Sequence, residues 1–286
     1  MNLPRVIANI VIKNGLHVQS IGFEKYLPLG CPIESAREFD RWGIDEIIIT
    51  FLDGDYKASL NLISKISEAI AVPLTATGGI RKITEAKEYI SVGADKIGIN
   101  NTLQENKRLV SDIANILGNQ CVVASIDIIR NKKEIYPYSY KDKKTYKTNI
   151  FSWIDEVEKM GAGEILLNFP ERDGMGKGMD VDAVTRVVNY TPLPVIAIGG
   201  IGRPLDAVKV YKIANPSGIG IANRLAFFEH TVLLFKQALK DSGAPIRIGV
   251  KANYSCSSFD KSGLPKKKSE KKLYELFFEQ IEAEVI

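Results

Sequence analysis

Two glycine pairs, Gly78-Gly79 in TATGGIR and Gly199-Gly200 in VIAIGGIG, each end a short apolar run and open a helix-like segment. Glycine lets a backbone N–H come close to an anion, and a helix N-terminus behind it adds favourable partial charge. Asn100-Asn101 and Ala222-Asn223 end the next apolar run after each pair. Loops matched in this way are the chemistry of two phosphate sites; the competing reading is that the glycines only permit tight turns. Two acids accompany them. Asp127 closes VVASID after five uncharged residues, and Asp173-Gly174 lies in ERDGMGKG. A carboxyl so placed either points into a polar mouth or costs several kcal/mol unless paired, and with a tuned pKa it can act as general acid or base.

These positions recur because the chain is a half written twice. AREFDRWGIDEIIIT (36–50) is matched by IDEVEKMGAGEILLN (154–168), VIANIVIKNG (6–15) by VVASIDIIRN (122–131), and GADKIGINN (93–101) by PSGIGIAN (216–223). The offsets, near 120 residues, are far longer than the 20 to 50 of a solenoid repeat. Each half reads as four short Ile/Val-rich strands separated by helical stretches, with strand starts expected near Arg5, Asp45, Pro73, Asp95, Gln120, Gly163, Pro194 and Ser217. Eight βα units in roughly 240 residues predict a closed (β/α)₈ TIM barrel of two half-barrels over residues 1–250; an open doubly wound sheet is the alternative. In such a barrel, chemistry sits at the C-terminal strand ends, where the glycine pairs and Asp127 fall. By symmetry, the mate of Asp127 is Val11.

Composition removes other classes. Hydrophobic residues make up 45% of the chain, enough for a large core, and no apolar run reaches the 18 or so residues of a membrane span. The N-terminal run reads as a first strand and not as a signal peptide. Cys31, Cys121 and Cys256 are scattered and odd in number, so a cytoplasmic protein without a disulfide framework is expected. A net charge of +4 owes much to KKKSEKK (266–272), which is no basic stripe, and nucleic acid is not an expected partner. No metal and no cofactor are expected. Residues 251–286 fall outside the repeat, as a polar linker followed by an amphipathic helix over 273–285. That helix docks on the barrel's outside or binds a partner.

With GGI loops after the third and seventh strands, SID on the fifth, and GAGEILLN followed by RDG on the sixth, the chain resembles the cyclase subunit of imidazole glycerol phosphate synthase from about Arg5 to Gly249. That resemblance implies a glutaminase subunit docked at the barrel bottom, ammonia passing up the barrel, and a bisphosphate substrate held between two phosphate sites. It implies phosphate-binding roles for Gly78, Gly79, Asn100, Asn101, Asp173, Gly174, Gly199, Gly200, Ala222 and Asn223. Two aspartates do the family's acid-base work; Asp127 matches one, and Val11 stands where the other belongs. Gln19 replaces a lysine and Phe51 an acid. At the bottom, Arg5, Glu46, Lys96 and Glu164 carry the family's residues for a charged entrance gate, and Asp95 matches a glutaminase contact. By position alone, those four would be solvated strand ends.

An intact entrance below a cyclase site that lacks an acid looks like the second-copy cyclase-like proteins found with surface-polysaccharide genes, the glycosyl amidation-associated proteins. That resemblance implies ammonia relayed to a separate ATP-dependent sugar amidotransferase that makes an acetamidino sugar. An authentic cyclase of histidine biosynthesis and a non-catalytic phosphate-sugar-binding barrel are the alternatives.

Overall fold

The computed structural model describes residues 3–53, 55–228, 230–249, 259–261, 263–266, 269 and 271. Its strands are β1 (Arg5–Lys13), β2 (Leu16–Ile21), β3 (Lys25–Gly30), β4 (Glu46–Phe51), β5 (Leu74–Thr77), β6 (Lys96–Ile99), β7 (Val122–Asn131), β8 (Glu134–Ser139), β9 (Lys144–Thr145), β10 (Glu164–Asn168), β11 (Val195–Ile198) and β12 (Gly218–Ile221). Strands β1, β4, β5, β6, β7, β10, β11 and β12 pair in parallel in that order, and β12 returns to β1. The sheet is a closed barrel. Each expected strand start is met within about two residues.

Helices α1 (Pro32–Arg41), α2 (Tyr56–Ala69), α3 (Ile83–Ser91), α4 (Asn101–Glu105), α5 (Lys107–Leu117), α6 (Ile150–Lys159), α7 (Val181–Tyr190), α8 (Pro204–Ala214) and α9 (Thr231–Asp241) fill the crossovers and the last turn. They form where an apolar stripe follows a cap. In α5, Asn106 accepts the Leu109 N–H, and Leu109, Val110, Ile113 and Ala114 bury one face against the sheet. Asn149 and Asp180 cap α6 and α7 in the same way.

Two features go beyond eight plain βα units. Strands β1 and β7 outrun the barrel and fold back as antiparallel hairpins, β1 with β2 and β3, and β7 with β8 and β9. The first turn is Asn14-Gly15, both at positive φ (51° and 73°), the pairing that a tight hairpin turn requires. Of the tail, the Phe259–Pro265 bridge brings Phe259 and Gly263 to a groove with Leu205 and Val208 of α8. The helix expected over 273–285 and Cys256 lie outside the described residues.

Inside the sheet, Ile7, Ile48, Val123, Leu166, Ile196 and Ile198 form an apolar plug separate from the larger core under the helices. Inward-facing glycines make room for it and for the threonine layer above it. A Cβ on Gly220 would stand 1.9 Å from Ile198 Cγ1, and on its mate Gly98 would stand 2.3 Å from Thr77 Cγ2.

Beneath the barrel Lys236 of α9 is 1% exposed, and its ammonium donates to Asp45 Oδ1 at 2.6 Å. The other Asp45 oxygen accepts the Val6 N–H at 2.8 Å, tying β1 to the start of β4. Burial pushes the Lys236 pKa down, opposed by Asp45. Asp45→Ala, which leaves a buried ammonium unpaired, is expected to destabilise the fold by about 3 kcal/mol. Lys236→Met, which leaves Asp45 its backbone donor, should cost less than half of that. Urea unfolding of both variants checks the order; equal losses would show that the pair does not act as a bracket.

Candidate functional site

Alternation along the strands decides which residues face the mouth. On β7, Val123, Ser125 and Asp127 point inward, and Asp127 lies where β7 stops pairing with β10 (Asn168 opposite Asp127) and turns to β8. Asp127 is buried. Asn168 Nδ2 donates to its Oδ1 at 2.9 Å and to Ser125 Oγ at 2.9 Å, and the Asn100 side chain bonds it from the other flank. Burial raises the Asp127 pKa to about 6, opposed by the Asn100 and Asn168 hydrogen bonds. A carboxyl near 6 exchanges a proton readily at neutral pH.

The opposite pole is chemically different. Val11 lies across from Thr50, and Thr50 Oγ1 donates to Asn9 Oδ1 at 2.9 Å while accepting from Thr77 Oγ1 at 3.0 Å. Asn100 and Ala222 share an unusual backbone conformation, φ −116°, ψ −88° and φ −110°, ψ −106°. The duplication therefore persists in the main chain. Side chains diverge together: Asp127, Asn100 and Asn168 at one pole are Val11, Ala222 and Thr50 at the other.

Two cups flank this centre. Gly78, Gly79, Asn100 and Asn101 line one of about 80 Å³, with Arg81, Thr102 and Glu105. Asp173, Gly174, Gly199, Gly200, Ala222 and Asn223 line the other, of about 250 Å³, joined by Gln19, Arg203 and Arg224. The tight-turn reading of the glycines holds, since a Cβ on Gly78 would stand 2.4 Å from Phe51 O and on Gly200 2.3 Å from Gly178 O. An anion site and a tight turn are compatible, because the close approach that excludes a Cβ also bares the backbone.

Three expectations need correction. The helices do not begin at the glycine pairs. They begin at Ile83 and Pro204, and acids take up the amides ahead of them: Glu85 accepts from Arg81 and Lys82 N–H, and Asp206 from Gly202 and Arg203 N–H. Helix charge is thus partly spent, and the glycine backbone carries more of any anion binding. Asp173 is no free proton-transfer group, for Ser20 Oγ donates to it at 2.6 Å and Phe23 N–H at 3.4 Å, holding the first hairpin. Burial still raises its pKa. The Asn223 amide is likewise spent on Ser20, donating to its carbonyl at 2.6 Å and accepting its N–H at 3.1 Å. Ser20, Arg203, Arg224 and Asn168 are additional residues of the mouth; of these, Asn168 could have been read from its place at the end of ILLN.

Phe51 faces away from the interior, edge-on to Tyr89.

At the other end, Arg5, Glu46, Lys96 and Glu164 meet. Arg5 pairs with both carboxylates, and Lys96 Nζ reaches Glu46 at 3.1 Å and Glu164 at 2.8 Å, so the four charges form a closed ring. Burial opposes the Arg5 charge, but Glu164 and Glu46 more than offset it, and its pKa is raised. Thr75 Oγ1 adds a bond to Glu46 at 2.8 Å. Beside the ring, Asp95 Oδ2 accepts the Leu74 N–H at 2.8 Å, and the residue is exposed.

A family model described as histidine biosynthesis protein matches residues 5–232. The chain belongs to that family. Among its relatives, an imidazole glycerol phosphate synthase subunit HisF of Pyrococcus furiosus is 37% identical over 247 residues, covering 85% of this chain and 98% of the relative. A putative imidazole glycerol phosphate synthase subunit hisF2 of Vibrio vulnificus is 32% identical over 264 residues, 91% and 97% of the two chains. A HisF subunit from a Thermotoga species is 35% identical over 251 residues, 87% and 99%. Among the described residues, no helix is long and apolar enough to cross a membrane, and no cluster of three or more metal-binding side chains occurs.

The Asp127 shift has a measurable signature. Its pKa is raised above the unfolded value of 3.8, so the protonated form is favoured by the fold and stability falls as pH rises from about 4 through about 6. Asp127→Asn should therefore raise stability above pH 6 by about 1–3 kcal/mol and make no difference below pH 3.8. Carboxyl ¹³C titration should show one resonance moving near pH 6 that the variant lacks. If no carboxyl titrates above pH 5, the buried-acid assignment is wrong.

Proposed function

We propose that this barrel receives ammonia from a glutaminase subunit docked at its bottom and relays it for amidation of a sugar, in place of the imidazole-forming cyclisation. The single observation that carries this reading is the pairing of a complete charged ring with a one-acid mouth. Arg5, Glu46, Lys96 and Glu164 make a neutral closed ring in which each cation bridges both carboxylates. Such a ring buries its charges in pairs and can open by breaking one of them. Above it, the apolar plug from Ile7 to Ile198 is hospitable to neutral ammonia and hostile to ammonium.

At the mouth, the alkyl group of Val11 cannot transfer a proton. Asp127, with its two amide partners, is the one acid poised for general acid-base work, and the cups on either side would hold a phosphate-bearing acceptor. The similarity to a putative hisF2 subunit supports a second-copy role. In this reading an ATP-dependent sugar amidotransferase consumes the ammonia to form an acetamidino sugar, and Asp95, exposed beside the ring, contacts the glutaminase. The second reading, an authentic cyclase, draws on the several HisF relatives and is separated by assay.

With the bisphosphate substrate of imidazole glycerol phosphate synthase and free ammonium, turnover should fall about 10²- to 10⁴-fold below that of a two-acid cyclase, the usual worth of a placed proton-transfer group. Turnover within about tenfold would return the chain to the cyclase reading.

Arg5→Ala tests the ring. In the complex with glutaminase and amidotransferase, the variant should fold and bind but release several glutamates per amidated product, because ammonia escapes or is blocked before the acceptor. A glutamate-to-product ratio equal to that of the unaltered complex would make the ring purely structural.

A further inference from the structure

The two cups occupy matching places in the duplicated halves, yet they differ in size and charge. The smaller, of about 80 Å³, is lined by Arg81 and Glu105, and Glu105 is paired with Lys141 at 2.6 Å. The larger, of about 250 Å³, is lined by Arg203 and Arg224, and its one lining carboxylate, Asp173, is engaged by Ser20 and Phe23. Arg224 follows Asn223 as Thr102 follows Asn101. Thr102 is buried and donates to Ile80 O at 2.7 Å, so the first half is self-satisfied where the second carries a cation.

Among the described residues, Arg224 has no salt bridge, and its Nε is the one buried side-chain nitrogen or oxygen without a hydrogen-bond partner. Its guanidinium lies over the Phe228 ring, 4.4 Å from the centroid. Burial and the neighbouring Arg203 both push its pKa down. Two like charges in one cavity are relieved by an anion that bridges them, and a guanidinium fork suits phosphate oxygens. Next to them Phe227 lines the cup and is 47% exposed, offering a flat apolar face.

We propose that the larger cup binds a nucleoside diphosphate group, the leaving end of a nucleotide-linked sugar. One phosphate lies on the Gly199-Gly200 backbone, the second is bridged by Arg203 and Arg224, and the base rests on Phe227. The sugar then extends toward Asp127. Arg224 is the residue that selects diphosphate over monophosphate. This inference rests on reading the cups as anion sites, but not on the charged ring.

The test is calorimetric titration of the full chain alone with UDP, UMP and inorganic phosphate. UDP should bind at least about tenfold more tightly than UMP, the worth of one charge-assisted pair. Arg224→Met should remove that preference while changing UMP affinity less than about threefold. Arg224→Lys, which keeps the charge and loses the fork, should retain part of it and serves if the methionine variant does not fold. Arg108→Ala, on the exposed face of α5, should change nothing. Equal affinities for UDP and UMP, no binding of UDP, or an unchanged preference in folded Arg224 variants would each overturn the assignment. No glutaminase or acceptor enzyme takes part, so those outcomes leave the ammonia relay to its own test.

Discussion

A closed eight-stranded sheet makes every second side chain share one interior, and every polar group placed there must find its partner inside it. The layers of this barrel follow from that constraint. Glycines at 218 and 220 yield volume to Ile7, Ile196 and Ile198, as Gly98 does to Thr77. Below them the carboxylates of Glu46 and Glu164 are tolerable because Arg5 and Lys96 each touch both. Above them, Asn9, Thr50, Thr77, Ser125 and Asn168 form chains of hydrogen bonds that end at Asp127 on one side and stop short of Val11 on the other.

The same constraint separates support from chemistry. Asp45 and Asp95 stand at equivalent points before β4 and β6, and each accepts a backbone N–H from the neighbouring barrel strand, β1 and β5. Their conserved geometry within the molecule is that of a splice between neighbouring strands. The hairpins play the corresponding part at the top, where Asp173 and Asn223 converge on Ser20 and lock β2 over the larger cup. Residues that looked reactive in isolation thus hold the mouth's walls, and Asp127 is left as a carboxyl held by the amides of Asn100 and Asn168.

Much of this was readable in the chain. The eight strand starts and the pairing of the halves followed from apolar runs recurring with GGI and with the two GAxEIxx/GIDEIII segments, since a closed parallel sheet demands such runs at each crossover. The meeting of Arg5, Glu46, Lys96 and Glu164 came only through family resemblance, because residues 41 to 159 positions apart converge by closure, which no local pattern encodes. The roles of Asp173 and Asn223 were illegible for another reason. Their partner, Ser20, lies in a hairpin that extends a barrel strand, and the Asn14-Gly15 turn that announces it was hidden inside an apparent strand-to-helix loop. Arg224 stood in a segment that matched its counterpart up to Asn223 and differed at the next residue.

The unequal poles also bear on how such a chain can change. A buried carboxyl is costly, and the one at Asp127 is sheltered by amides on the strands at either side. An acid placed at Val11 would have Ala222 and Thr50 as its flanks, with Thr50 already donating to Asn9. An acid at that pole would therefore cost more stability than the one at Asp127, unless donors were supplied with it. The duplicated half-barrel thus repeats its main chain at both poles but shelters a buried acid at one of them, so twofold symmetry of the backbone does not carry twofold symmetry of charge.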